Sequence, residues 1–350
     1  MRRKQIILSG VALAVLAVLV YLQFRTWKNF DWATFWSQTG QVREHKLHIA
    51  AGLALIYLGY LIRALRWKIF LRPVQSSSTA ILVTPTVIGF TGLALFGRPG
   101  EFIRPYLIAR KTSLSFSSQI AVWAVERIFD VGSFALLLIS AIFLAEAPTH
   151  LAYYGRFRQG GFAIVALVFA LIAGASLVYW RGEAAAAWIE HRFRHSSSGP
   201  LKLVTLRIRE FRSGLNTIHD FSSLLQLVGV SLAMWTMIAL SYWEVMQSYG
   251  PGPLDRPLSE VPLLMATSMV GSLIQLPGVG GGSQLATIGT LQHVFQASHE
   301  LAASCGILLW LVTFFSVVPW GLFLAHRSRL SLRQLSAQSQ EAEANAEPSS

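Results

Sequence analysis

The chain has 350 residues, of which 53% are hydrophobic and 13% charged, with a mean hydropathy of +0.49. A water-soluble fold of this size could not bury so much apolar surface, which makes the protein integral to a membrane. Its 29 Lys and Arg against 17 Asp and Glu give +12, a balance suited to nucleic acid or anionic lipid, while the single Cys305 excludes a disulfide framework and a cysteine metal site.

The opening MRRKQIILSGVALAVLAVLVYLQF places basic residues before an apolar run longer than a signal-peptide core and lacks a small-x-small cleavage site, so 5–24 reads as a retained first span. Residues 25–46 carry Trp27, Phe30, Trp32, Phe35 and Trp36, the composition of an outer interfacial segment. Further full-length apolar segments lie at 47–66, 118–145, 160–180, 222–246 and 299–325. At about 1.5 Å per residue each covers about 30 Å of hydrocarbon, giving six full crossings of an all-α, polytopic helical bundle. Two other apolar stretches, 80–97 and 261–297, run into GRPGE and LPGVGGGSQ. Gly and Pro at that density release backbone groups that lipid cannot satisfy, so both read as re-entrant broken hairpins, enclosed in protein or beside a wet cavity.

If both hairpins return to their own side, basic residues favour the inner face by about three to one, counting those of 63–72, 98–111 and 181–212 there. Both termini are then cytoplasmic, and a bacterial inner membrane is the expected location. The hairpins open from opposite faces, which points to an inverted repeat with halves near 47–180 and 222–325, all within one transmembrane domain, 1–326. In the inner loop 181–221, Leu201, Val204, Ile208, Phe211, Leu215 and Ile218 recur at helical spacing, with Lys202, Arg207, Arg209 and Arg212 off that stripe. This helix either rests on the anionic leaflet or docks on its own protein. The tail 327–350 is polar and acidic without an apolar period and is expected to be disordered.

Span 118–145 contains Glu126, Arg127 and Asp130. Charges near the bilayer centre cost about 2.5–3.5 kcal/mol on insertion scales unless paired or wet, so these residues must face protein. Glu126 and Asp130, four apart, share a helix face and need basic partners from elsewhere, with Arg98 and Arg104 the nearest by topology. Two readings stand together: ion pairs that tie the first hairpin to its neighbour, or guanidinium groups that bind a phosphate while Glu101, Glu126 and Asp130 hold them. At the second hairpin, backbone N–H groups around Gly278, Gly280, Gly281 and Gly282 suit an anion at the head of a helix, or the glycines serve close packing. Gln275, Ser283, Gln284 and Thr287 add polar groups there.

No G-x-x-x-x-G-K-[ST], H-E-x-x-H, G-x-S-x-G or Asp-x-Asp motif occurs, so the sequence offers no ATP loop, zinc pair, nucleophile elbow or cofactor site.

The stretch GLALFGRPGEFIRPYLIARKTSLSFSSQIAVWAVERIFD resembles the lysylphosphatidylglycerol synthase transmembrane region, in which Gly-Glu-x-x-Arg precedes a span bearing Glu-Arg-x-x-Asp. Gly100, Glu101 and Arg104 match the first element; Glu126, Arg127 and Asp130 match the second; PGVGGGSQLA is similar to the family's later break. The resemblance implies a membrane fold related to the flippase half of aminoacyl-phospholipid synthases. Family members commonly carry Glu where this chain has Gln284, and only a short stretch follows 325, so lysyl-lipid synthesis is not implied. The expectation is a lipid translocase, not an enzyme, whose substrate is an anionic phospholipid or a polyprenyl-phosphate type of lipid; no nucleic acid is expected as partner. The alternatives are a membrane-embedded transferase acting on a lipid phosphate and a non-catalytic partner of a lipid-modifying enzyme, with a homodimer also open.

Overall fold

The computed structural model describes residues 30–143, 221–272, 275–276 and 280–328, with isolated residues between 155 and 181. The expected span 5–24, most of 160–180, the helix at 201–218, Gly278 and the tail beyond 328 lie outside the described residues. Ten α-helices order what is described: α1 (Trp32–Gln41), α2 (Lys46–Leu71), α3 (Thr79–Phe96), α4 (Ile103–Thr112), α5 (Phe116–Phe143), α6 (Phe221–Gln247), α7 (Val261–Gly271), α8 (Gly282–His293), α9 (His299–Trp310) and α10 (Val317–Arg327). A two-residue antiparallel ladder, β1 (Gln275–Leu276) with β2 (Gly280–Gly281), sits between α7 and α8. The fold is otherwise all-α. Four described helical stretches are long and apolar enough to cross a membrane: 46–71, 79–96, 221–247 and 299–327. The last joins α9 to α10 through a π turn, Leu311–Phe315.

Asp31 caps α1 by accepting from the amides of Ala33 (2.9 Å) and Thr34 (3.2 Å). Phe30 and Phe35 pack on Ala303 and Ile307 of α9, while Trp32 and Trp36 remain exposed. α2 and α6 form an antiparallel pair. His48 Nδ1 lies 2.6 Å from Glu244 Oε2 at one end, Ser241 donates to the Gly52 carbonyl (3.0 Å), and Arg72 donates to Gln226 (2.8 Å) at the other.

Residues 79–112 double back on themselves, as GRPGE suggested. Gly97 takes φ +70° at the end of α3, a value that suits glycine, and Arg98–Phe102 make a 3₁₀ turn into α4. A Cβ on Gly89 would lie 2.4 Å from the Cβ of Arg104, and one on Gly100 would lie 2.1 Å from the Gly92 carbonyl oxygen, so the limbs touch backbone to backbone. Pro85 inside α3 has no N–H to give to the Ile81 carbonyl one turn back, and the neighbouring Thr86 Oγ1 donates to the Leu82 carbonyl (2.8 Å). The second hairpin closes in the same manner. A Cβ on Gly271 would meet the Gly282 carbonyl oxygen at 2.3 Å, and Thr290 donates across to Thr267 (2.8 Å).

Helix α5 fixes how the two hairpins face each other. Its first half, at Val122 and Val125, packs with Ile108 of α4, whose end leads directly into α5. Its second half, at Phe134 and Leu138, packs with Val261 and Leu264 at the opening of α7. The bases of the hairpins therefore lie at opposite ends of α5. Their tips meet between: an Arg98 amino group donates to the Ser272 carbonyl at 3.0 Å.

Candidate functional site

The meeting point of the tips is a cavity of about 410 Å³. Arg63, Arg98, Glu101, Arg127 and Asp130 supply its charges. Ser268, Ser272, Ser283, Gln284, Thr287 and Thr313 add neutral polar groups, and Tyr60, Phe90, Trp235, Tyr242, Trp310 and Phe314 supply ring faces. Arg127 is eleven residues into α5 and sixteen from its end, which puts the cavity about 16 Å and about 24 Å from the two ends of that helix. Trp310, Thr313 and Phe314 come from the π turn or its border, where the wider helix presents them on the cavity side.

A buried ionic cluster runs from the cavity lining, at Asp130 and Arg127, to Glu126, Arg66 and Arg104 behind it. Glu126 is 1% exposed, Asp130 5%, Arg66 0% and Arg104 4%, so none can be satisfied by water. Both amino groups of Arg104 donate to the Glu126 carboxylate, and its guanidinium lies over the Trp67 ring at 4.4 Å. Arg66 donates to Glu126, to Asp130 Oδ1 (2.6 Å) and to Ser231 Oγ (3.1 Å), and so joins the two carboxylates across helices α2, α5 and α6. Arg127, whose side chain is 38% exposed, closes the cluster toward the cavity with 3.0 Å to Asp130 Oδ2 and 3.5 Å to Glu126 Oε2.

Sequence reasoning placed Glu126 and Asp130 on one face with a basic partner from the first hairpin, and Arg104 is that partner. Arg98 is not. It pairs with Glu101 (3.0 Å), three residues on in the same turn, and spends its second amino group on Ser272. Among the eleven site candidates, Arg98, Glu101, Arg127, Asp130 and Gln284 line the cavity, whereas Arg104 and Glu126 stand behind it. Gly280 and Gly281 are held in the ladder with Leu276 and Gln275, and Gly282 packs against Gly271. Close approach of the two limbs accounts for Gly271, and Gly281 takes φ +93°, a value that suits glycine.

Two residues went unrecognised. Arg63 and Arg66 were counted with the inner-face basic residues because the apolar run was ended at 66, but α2 continues to Leu71 and carries both into the bundle. Arg63 lines the cavity with its guanidinium over the Phe90 ring at 4.6 Å. The available signal was their spacing: three apart in YLIRALRW, they fall on one face of the helix that an apolar face already occupied. No group of three or more His, Cys, Asp or Glu among the described residues could hold a metal ion.

The long apolar helices, the opposed hairpins and the interior ionic cluster define an all-α polytopic integral membrane protein. The chain matches the family model of the lysylphosphatidylglycerol synthase TM region over residues 7–321, and it belongs to that family. Neither a search of curated proteins nor one of solved structures finds a match.

Proposed function

We propose that the protein is a lipid translocase that carries an anionic headgroup through the cavity between the hairpin tips while the hydrocarbon tails stay in the bilayer. The observation that carries this reading is the tip-to-tip meeting of two hairpins based at opposite ends of α5 around a charged, ring-lined cavity. Broken helices that meet near the middle of a bundle are where transporters commonly bind cargo, since unwound backbone is tolerated there. Arg98 and Arg127 offer guanidinium groups to a phosphate, with Glu101 and Asp130 holding them when the site is empty. Membership of a family described by a lipid synthase's transmembrane region supports a lipid as cargo. Halves near 47–180 and 222–325 related as an inverted repeat, a bacterial inner membrane and cytoplasmic termini complete the proposal.

The test is a vesicle assay. Purified protein is reconstituted with fluorescent phosphatidylglycerol or phosphatidic acid labelled on an acyl chain near the headgroup, and a membrane-impermeant quencher reports the accessible fraction over time. The expected result is quenching beyond the outer-leaflet half at a rate well above that of protein-free vesicles, and slower in Arg127→Gln. Rates equal to protein-free vesicles for both lipids refute the translocase. Turnover of either lipid into a new product would favour the transferase instead.

A further inference from the structure

Among the described residues the charges around the cavity do not balance. Five guanidinium groups, Arg63, Arg66, Arg98, Arg104 and Arg127, face three carboxylates, Glu101, Glu126 and Asp130. Arg98 and Glu101 cancel as a pair. Glu126 and Asp130 then share Arg66, Arg104 and Arg127, and each amino group that Arg66 and Arg104 show in a hydrogen bond points at those acids or at Ser231. Arg63 has no ion pair or hydrogen bond among the described residues; its guanidinium rests on the face of Phe90 and feels Asp130 and Glu126 only from beyond ion-pair distance. The Nε atom of Arg127 is buried and without a hydrogen-bond partner. Among the described residues the site thus carries an excess of two positive charges; donor capacity is left on Arg63, on the Nε of Arg127 and on the buried Nε of Arg66, and of these residues Arg63 and Arg127 line the cavity.

A site set among helices, where charges are less screened than in bulk water, favours the ligand whose charge cancels its own. A phosphodiester brings one negative charge and leaves a guanidinium uncompensated. A phosphate monoester brings close to two at neutral pH and presents three terminal oxygens, enough for forked contacts with two guanidinium groups at once. Resting on the translocase reading for its place in the bilayer, we infer that the cavity selects a dianionic phosphate monoester, with Arg63 as the residue that reads the second charge. Such a group is offered by a lipid monophosphate or by free phosphate.

The experiment compares binding by the full chain in nanodiscs of neutral lipid, using four probes: dioctanoyl phosphatidic acid, dioctanoyl phosphatidylmethanol, glycerol 3-phosphate and inorganic phosphate. The two lipids differ by one methyl group and one negative charge. Phosphatidic acid is expected to bind at least tenfold more tightly than phosphatidylmethanol. Arg63→Gln should bring that ratio below about threefold, chiefly by weakening phosphatidic acid, whereas Arg63→Lys, which keeps the charge, should retain the preference. Equal affinities of the wild type for the two lipids would overturn the inference without recourse to any variant, and so would an unchanged ratio in Arg63→Gln. Inorganic phosphate or glycerol 3-phosphate binding as tightly as phosphatidic acid would uphold the dianion site and overturn the lipid source. Dianion preference together with no flipping in the vesicle assay would refute translocation alone; flipping with no charge preference would do the reverse.

Discussion

Replacing Glu126 by Gln tests the ionic cluster most directly. The carboxylate accepts from Arg66 and twice from Arg104, and lies 3.5 Å from Arg127, so the substitution keeps the shape and removes the charge on which three guanidinium groups converge. Arg66 and Arg127 retain Asp130, but Arg104, 4% exposed, loses its only acidic partner among the described residues. Breaking a buried pair by removing one partner costs about 3–5 kcal/mol, because the charge left behind is neither paired nor hydrated. Adding Arg104→Met removes that stranded charge and keeps an apolar stem against Trp67, so the double variant should recover about 1–3 kcal/mol relative to Glu126→Gln alone. The assay is reversible unfolding in mixed micelles titrated with dodecyl sulfate, followed by tryptophan fluorescence. Arg127→Gln serves as the contrast: its half-exposed side chain should cost about 1 kcal/mol or less while still slowing lipid movement. A Glu126→Gln protein within about 0.5 kcal/mol of wild type, or a double variant equal to the sum of its parts, would refute the pairing.

Three further outcomes are expected. Gly100→Ala should prevent the first hairpin from closing, since its Cβ would fall 2.1 Å from the Gly92 carbonyl oxygen, and should cut the yield of folded protein sharply on size exclusion; Gly59→Ala, with nothing within 4 Å, should keep wild-type yield and a midpoint equal or slightly raised. In a Cys305→Ala background, Arg98→Cys with Ser272→Cys should be joined by a short bifunctional thiol reagent, as the tips are in contact, and no cross-link under conditions that label both cysteines would contradict the opposed hairpins. The Thr34 hydroxyl, ahead of the Thr34 amide, holds the Asp31 carboxyl below its ordinary value of 3.8, so this cap stabilises α1 above that pH and is lost as pH falls through the lowered value. Amide exchange in the first turn of α1 should therefore quicken, relative to its intrinsic rate, as the medium is taken below pH 3.8, and should no longer respond to that acidification in Asp31→Asn.

Local signals carried the sequence reading well and remote ones escaped it. Pro99 and Gly100 mark a break because their backbone requirements are written in two adjacent residues, and the helical period alone puts Glu126 and Asp130 on one face. Arg104 was found because α4 leads straight into α5. Arg66 was not, since it meets those carboxylates across sixty and sixty-four positions of sequence, and no spacing rule reaches that far. Its charge also argued for ending the apolar span early, although partners from α5 let the helix carry it inside. The glycines of the second break show the converse. Their pattern allowed an anion cradle or tight packing, and the limb-to-limb approach at Gly271 and Gly282 is visible only once α7 and α8 lie side by side.

The glycine contacts inside each hairpin make its two limbs move as one lever, for neither limb has room to slide past the other without a clash of main chains. At the point where the levers touch, the described link is one guanidinium resting on one peptide oxygen. Giving up such a bond exposes nothing that water or an incoming phosphate cannot replace, at a net cost of about 0.5–1.5 kcal/mol. Strength within each arm and weakness at the seam would let the seam part first, and an anion that draws Arg98 away from Ser272 would itself be the wedge.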